Sequence, residues 1–221
     1  MWRAAGALLL VMTLAVGGAE AAESTDWKTV STGDVLIRVR PRADIPGGRE
    51  FWAEGDMAVG LPYIASTLKD HEKFRRWMPH VKESRVLSEE EAGSRVTYTQ
   101  LDLPIISNRD YVLRVEEQEG RDEEGRETLQ QRWSPANDVL PERRGVVRLL
   151  RNAGSWFFTA KADGSVHFVY RFTVEPGGSI PGFLAGVGQT DAVMDTVRAV
   201  ERRARQLAAD DPARQGSSPP P

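Results

Sequence analysis

The sequence predicts an α+β domain in which a curved antiparallel sheet wraps around one long C-terminal helix. Three observations predict it. Short runs in which apolar and polar residues alternate recur along most of residues 27–207, the period of half-buried strands. In the clearest run, Val166, Phe168, Tyr170, Phe172 and Val174 share one face while His167, Arg171 and Thr173 take the other. From Ile180 to Leu207 the period becomes helical, and Phe183, Leu184, Val187, Met194, Val197, Val200, Ala204 and Leu207 form an apolar stripe. Laying that stripe across the sheet buries both faces, a helix-grip arrangement. A filled sandwich with a peripheral helix has the same element order and stays open on these grounds.

The elements follow in order. Val35–Arg40 and Phe51–Met57 alternate as two antiparallel strands. Between Leu61 and Trp77, Ile64, Ala65, Leu68, His71 or Glu72, and Arg75 fall at helical spacing, with Pro62 near the first turn and Pro79 beyond the end, so a helical hairpin or broken helix is expected. Strands are expected again at 84–87, 95–101, 109–116, 127–133, 146–150, 155–160 and 166–174, separated by turn signals at 91–93, 120–125, 135–138 and 162–164. Arg198, Arg202, Arg203 and Arg205 near the end of the last helix complement its dipole.

With 221 residues, no repeat and no internal linker, the chain predicts one domain over residues 22–207. The 29 basic and 32 acidic residues give a net charge of -3, too balanced for a nucleic-acid partner. Residues 1–21 carry one early cation, Arg3, then an apolar stretch to about Gly18 and the small-residue site Ala19-Glu20-Ala21, the form of a cleavable signal peptide. A membrane anchor is the alternative, but the stretch is short for a bilayer. With no cysteine for disulfides or thiol lipidation, the mature protein is expected to be exported, periplasmic or secreted. Residues 208–221, polar and ending in three prolines, predict a disordered tail, and no heptad seam or spare apolar face argues against a monomer.

Three segments carry a resemblance to a known family. Trp77-Met-Pro-His-Val-Lys-Glu83 is similar to the Trp-x-Pro-x-Val-Lys stretch that follows the helical insert of START (StAR-related lipid-transfer) domains, members of the Bet v 1-like, or SRPBCC, superfamily. Leu103-Pro-Ile-Ile-Ser-Asn-Arg-Asp-Tyr-Val112 resembles their Asn-Arg-Asp-aromatic strand entry. Glu175-Pro-Gly-Gly-Ser-Ile-Pro-Gly-Phe-Leu184 resembles the turn into their last helix, above all in the phosphatidylcholine-transfer-like branch. The resemblance implies a deep apolar cavity between sheet and last helix, no cofactor, no metal and no catalytic residue. It also implies a hydrophobic ligand, a phospholipid, sterol or isoprenoid, and transient contact with a membrane surface. Some members hold a buried charged pair in the cavity. Here Tyr111, Leu113 and Val115 are uncharged and Arg114 faces away, so no grip on a charged headgroup is expected from that strand.

A lipid cavity needs apolar walls and a few polar groups to orient one polar end. The candidates on the strands are Tyr98, Tyr111, Leu113, Leu129, Trp133, Trp156, Phe158, Phe168, Tyr170 and Phe172; those on the loop and helix are Ile105, Ile106, Phe183, Leu184, Val187, Asp191 and Met194. The same aromatics could simply fill a core, each stabilising it by about 1.5–3 kcal/mol. Pro104, Gly182, Gly186 and Gly188 are the expected gate or hinge: each glycine costs a helix about 1 kcal/mol against alanine, and either ligand exchange or close packing compensates. Trp77, Arg109 and Asp110 are expected to be structural, the last two pinning the loop 104–108, because neighbours on a strand point to opposite faces. Ile105 and Ile106 at a loop tip point to ligand or membrane contact. His71 and His167 read as surface residues, with no metal-ligand spacing. Three functions stay open: a lipid carrier, a polyketide cyclase/dehydratase-like enzyme in the same pocket, and a lipid-reporting interaction module. Asp191 is the one candidate acid for the second, or a polar anchor for the first.

Overall fold

The structure, a computed structural model, describes residues 27–103, 106–175, 177 and 189–212. The described residues form ten strands, β1 (Lys28–Thr32), β2 (Val35–Pro41), β3 (Arg49–Met57), β4 (Val81–Glu89), β5 (Arg95–Leu101), β6 (Arg109–Arg121), β7 (Glu127–Pro135), β8 (Val147–Arg148), β9 (Asn152–Ala160) and β10 (Val166–Val174). They form one sheet in the order β1-β2-β3-β10-β9-β7-β6-β5-β4, antiparallel at every step, with the short β8 alongside β6 in parallel. The helices are α1 (Leu61–Lys69), α2 (Phe74–Trp77) and α3 (Gln189–Ala209). This is the expected curved sheet with a C-terminal helix, a helix-grip fold.

Period-2 alternation assigns the two faces. On the concave side Ile37, Phe51, Ala53, Met57, Phe158 and Phe168 meet Ile64 and Leu68 of α1 and the α3 stripe Val193, Val197, Val200 and Ala204, all buried. On the convex side Val96, Tyr98, Val112 and Ala136 make a smaller cluster, roofed by Leu87 and by Leu140 of the segment linking β7 to β8.

The helical insert is broken, as its pattern implied: Asp70, at φ -82 and ψ 54, ends α1, and a 3-10 turn at His71–Lys73 leads into α2. Several bounds differ from expectation. The strand expected at 109–116 runs on to Arg121, the one expected at 146–150 contracts to two residues, and β1 had no alternation strong enough to announce it. The last helix ends two residues past Leu207, with Ala208 buried against the core, so 208 and 209 belong to the helix and not to the expected tail, of which 213–221 lie outside the described residues. The expected signal segment 1–21 lies outside the described residues.

Candidate ligand cavity

The strand register lays two rows of side chains across the concave face. One runs Val115, Trp133, Gly154, Phe172 from β6 to β10; the next runs Glu117, Gln131, Trp156, Tyr170. Trp156 and Tyr170 lie face to face with centroids 3.8 Å apart and planes 6° apart, and Trp133 stands 6.0 Å from Tyr170. Gly154 makes the arrangement possible. A Cβ there would come within 2.5 Å of both Trp133 Cζ2 and Phe172 Cβ and would press on the Arg171 carbonyl, so only glycine lets the indole lie across the sheet.

Beside this wall is a cavity of ≈ 240 Å³. Sheet residues lining it include Arg95, Thr97, Tyr111, Leu113, Trp133, Trp156 and Tyr170; α3 contributes Ala192 and Thr196, and the helical insert Leu68, His71 and Phe74, followed by Met78 and His80. The volume lies just under the roughly 300–1,000 Å³ of most small-molecule sites.

One end of the cavity is charged, against expectation. Arg95 and Glu117, both inward-facing, form a buried ion pair with Nη2 to Oε1 2.7 Å. Gln131 donates to the same carboxylate oxygen at 2.7 Å, and Arg95 also donates to the Leu68 carbonyl at 3.1 Å. The uncharged run Tyr111, Leu113, Val115 therefore ends in a carboxylate once β6 is followed past residue 116. Arg95 Nε is buried with no partner among the described residues. An unmade hydrogen bond from a buried donor costs about 1–3 kcal/mol, and a ligand acceptor or a water would recover it.

His71 is also buried, at 6% exposure, rather than a surface residue. Its Nε2 lies 3.1 Å from Thr99 Oγ1 and 3.4 Å from the Tyr98 carbonyl, and its ring packs 4.4 Å from that of Phe74. Burial pushes its pKa down to about 4; the Tyr98 carbonyl opposes this, and the positive charge of Arg95 adds to it. The imidazole is therefore neutral at physiological pH. His167 is exposed as expected, 3.0 Å from Asp56.

The structure sorts the remaining candidates. Tyr111, Leu113, Trp133, Trp156 and Tyr170 line the cavity. Tyr98 does not: it pairs in register with Val112 on the convex face, where its hydroxyl donates to Asp110 at 3.2 Å, and one residue of parity on β5 separates it from the lining residue Thr97. Leu129, Phe158 and Phe168 are packed solid in the main core, and Phe172 stacks on Phe51 and Tyr170 beside the cavity. Met194 is half-buried against the core, and Ile106 is half-buried outside the lining. Asp191 is exposed in the first described turn of α3, which removes it as a cavity acid or anchor. Pro104, Ile105, Gly182, Phe183, Leu184, Gly186, Val187 and Gly188 lie outside the described residues.

The residues expected to be structural make structural contacts. Asp110, fully buried, accepts from Arg148 Nε at 2.7 Å, while Arg109 donates to the Ser107 carbonyl and to the Gly177 carbonyl at 3.5 Å. Trp77 packs edge-on to Phe74 at 5.0 Å. Arg95, Glu117, His71, Thr97 and Gln131 were missed as site residues because buried polar groups leave no trace in an apolar period.

Residues 66–201, more than half of the chain, match the family described as polyketide cyclase / dehydrase and lipid transport. The chain belongs to this family. It is similar to the crystal structure of a STAR-related lipid transfer protein fragment from Xanthomonas axonopodis, at 29% identity and a TM-score of 0.69, covering 81% of this chain and 98% of that one. Human StAR-related lipid transfer protein 5 shares the fold at 19% identity and a TM-score of 0.72, covering 85% of this chain and 90% of that one. The Zhui aromatase/cyclase from Streptomyces sp. R1128 shares it more distantly, at 12% identity and a TM-score of 0.51, covering 73% and 96%. An uncharacterised protein of Pseudomonas aeruginosa is 25% identical over 200 residues, 90% of this chain and 96% of its own length. The fold is that of START-like lipid-binding domains.

Proposed function

We propose that this protein binds a hydrophobic, lipid-like molecule bearing one polar group between sheet and final helix, and carries it through an aqueous compartment outside the cytoplasm. The observation that carries this reading is the lining of the cavity. An aromatic wall of Trp133, Trp156 and Tyr170 lies beside Arg95, which is ion-paired to the buried Glu117 and whose Nε has no partner among the described residues. Apolar walls retain the body of a ligand, and a sparse polar group orients it. The likeness to the Xanthomonas lipid transfer protein supports the choice of ligand class. Export rests on the cation, apolar stretch and Ala-Glu-Ala site of residues 1–21.

A second reading, a cyclase or dehydratase acting on a polyketide, has one specific observation in its favour: His71 is a neutral imidazole at the cavity. A base with a pKa near 4 is poorly matched to proton abstraction at neutral pH, which favours the carrier. Native mass spectrometry of protein purified from its own host discriminates the two. One co-purifying lipid per chain supports the carrier; an empty protein that turns over a supplied polyketide chain refutes it.

A further inference from the structure

The connection from β7 to β9, residues 136–151, is long for a compact domain and holds no regular structure but the two residues of β8. It is nevertheless fixed in place. Arg148 pairs with the buried Asp110, and Arg143 Nη1 donates to Glu83 at 2.7 Å and to Gln100 at 3.0 Å. The Ala136 amide donates to the Val112 carbonyl at 2.9 Å, and Asn137 Nδ2 to the Leu150 carbonyl at 2.9 Å. From this framework two apolar side chains stand out into solvent. Among the described residues, the exposed large apolar side chains are Val139 at 42%, Leu150 at 51% and Phe157 at 37%, and two of the three belong to this segment. Arg143, Arg144 and Arg151 of the same segment are exposed as well, as are Asp138 and Glu142.

The segment lies at the end of the sheet where the cavity reaches the surface. Leu101, which lines the cavity, pairs with Arg109, and Arg109 pairs on its other side with Val147. Asn152, two residues past Leu150, also lines the cavity and accepts from Trp133 Nε1 at 3.0 Å, while the exposed His80 lines it beside Leu101. Charge divides along the strands in the same sense. The turns at their opposite ends, 33–34, 90–94, 122–126 and 161–165, carry seven acidic residues and two basic ones, whereas residues 136–151 carry four arginines and two acids. An anionic surface therefore attracts the cavity end and repels the far one. Two separate apolar side chains fall well short of the roughly 800 Å² that each partner buries in a stable protein interface, and with arginines around them they suit the headgroup region of a bilayer.

We propose that residues 136–151 form a docking surface for an anionic lipid bilayer: Val139 and Leu150 enter the headgroup region, Arg144 and Arg151 meet lipid phosphates, and the open end of the cavity turns toward the membrane. This rests on the carrier reading above and names the surface at which such a carrier loads and unloads. The pairs that fix the segment, Arg148 with Asp110 and Arg143 with Glu83, keep the two apolar side chains presented before contact, so docking orders little of the chain.

The chain has no cysteine, so a nitrobenzoxadiazole label can be placed at one position at a time in the full chain. Val139→Cys, Leu150→Cys, Phe157→Cys on the convex face and Asp163→Cys at the far end, each checked by its melting transition, are mixed with vesicles of phosphatidylglycerol and phosphatidylcholine or of phosphatidylcholine alone. Emission is expected to shift to the blue at 139 and 150 on the anionic vesicles and to stay unchanged at 157 and 163. In unlabelled protein, Val139→Ser with Leu150→Ser should lower partitioning onto anionic vesicles roughly tenfold, and Arg144→Ala about fivefold, with the uptake of a radiolabelled fatty acid unchanged. No shift at 139 or 150, an equal shift at 163, or partitioning that survives the double substitution overturns the surface while leaving the cavity standing. A shift that depends on protein concentration and needs no vesicle makes a second copy the occupant and overturns it too. The shifts expected on anionic vesicles, in a protein that takes up no lipid, uphold the surface and remove the carrier reading instead.

Discussion

Replacing Arg95 with alanine isolates the charged end of the cavity. The arginine side chain is 7% exposed and that of Glu117 8%, so truncation leaves a carboxylate out of water with Gln131 at 2.7 Å and the Lys69 ammonium at 3.9 Å. Breaking a buried ion pair from one side costs about 3–5 kcal/mol. Lys69 is 53% exposed at the side chain and screened by solvent, and it recovers at most about 1 kcal/mol. The expected loss is therefore about 3 kcal/mol, read from urea unfolding midpoints at pH 7. The double replacement Arg95→Met with Glu117→Leu leaves no buried charge and should fall within about 1 kcal/mol of wild type. That variant should also bind purely apolar ligands as before while losing its preference for those with an anionic or strongly accepting end. A cost below about 1 kcal/mol for Arg95→Ala, the value of a surface pair, would refute the claim that the pair is buried and essential to its own neighbourhood.

Other outcomes follow from the same geometry. His71 has a folded pKa of about 4 against 6.5 for the free side chain, so the unfolded chain takes up its proton first as pH falls. Stability is complete above pH 6.5 and declines between 6.5 and 4; the difference of 2.5 units corresponds to about 3 kcal/mol, and His71→Asn should flatten this part of the profile in urea midpoints taken from pH 7 to pH 4.5. Gly154→Ala should cost about 1–3 kcal/mol or more, because the new methyl meets the Arg171 carbonyl and Phe172 Cβ rather than a mobile chain end, and a red-shifted Trp133 emission should accompany the lower melting temperature. Arg148→Ala leaves the fully buried Asp110 carboxylate, among the described residues, with only the Tyr98 hydroxyl at 3.2 Å and should cost about 3–5 kcal/mol, whereas Tyr98→Phe should cost about 1 kcal/mol; equal costs would show that the ion pair is not the main tie.

The sequence made the fold legible because alternation and helical period are dictated by burial, and burial is what the sheet and α3 share. Phe51, Ala53 and Met57, and Val166 to Val174, sit as their periods require. The site was legible only in its apolar half. Trp133, Trp156 and Tyr170 announced themselves as large side chains on one face, but whether such a face is hollow or filled depends on what stands opposite. Phe158 and Phe168, two residues away on the same strands, are fully buried in the core cluster that also holds Val197 and Val200. The parity of Tyr98 is set by its pairing with Val112, not by its own neighbours. Glu117 was lost because the polar run from Glu116 onward looks like a turn, although β6 continues through it to Arg121. His71 fell at helical spacing with Ile64 and Leu68, and its polarity, not its position, suggested the surface.

The most direct measurement is equilibrium binding of a radiolabelled sterol and a radiolabelled fatty acid to wild type and to Leu113→Trp, a substitution that puts an indole into the space between Leu113 and Trp133 without touching the core beneath α3. A hollow site predicts saturation at one ligand per wild-type chain for at least one of the two, and no saturable binding to a variant that melts cooperatively. Equal uptake by both proteins, or none by either, would mean that the space beside Trp156 and Tyr170 is not where a ligand resides.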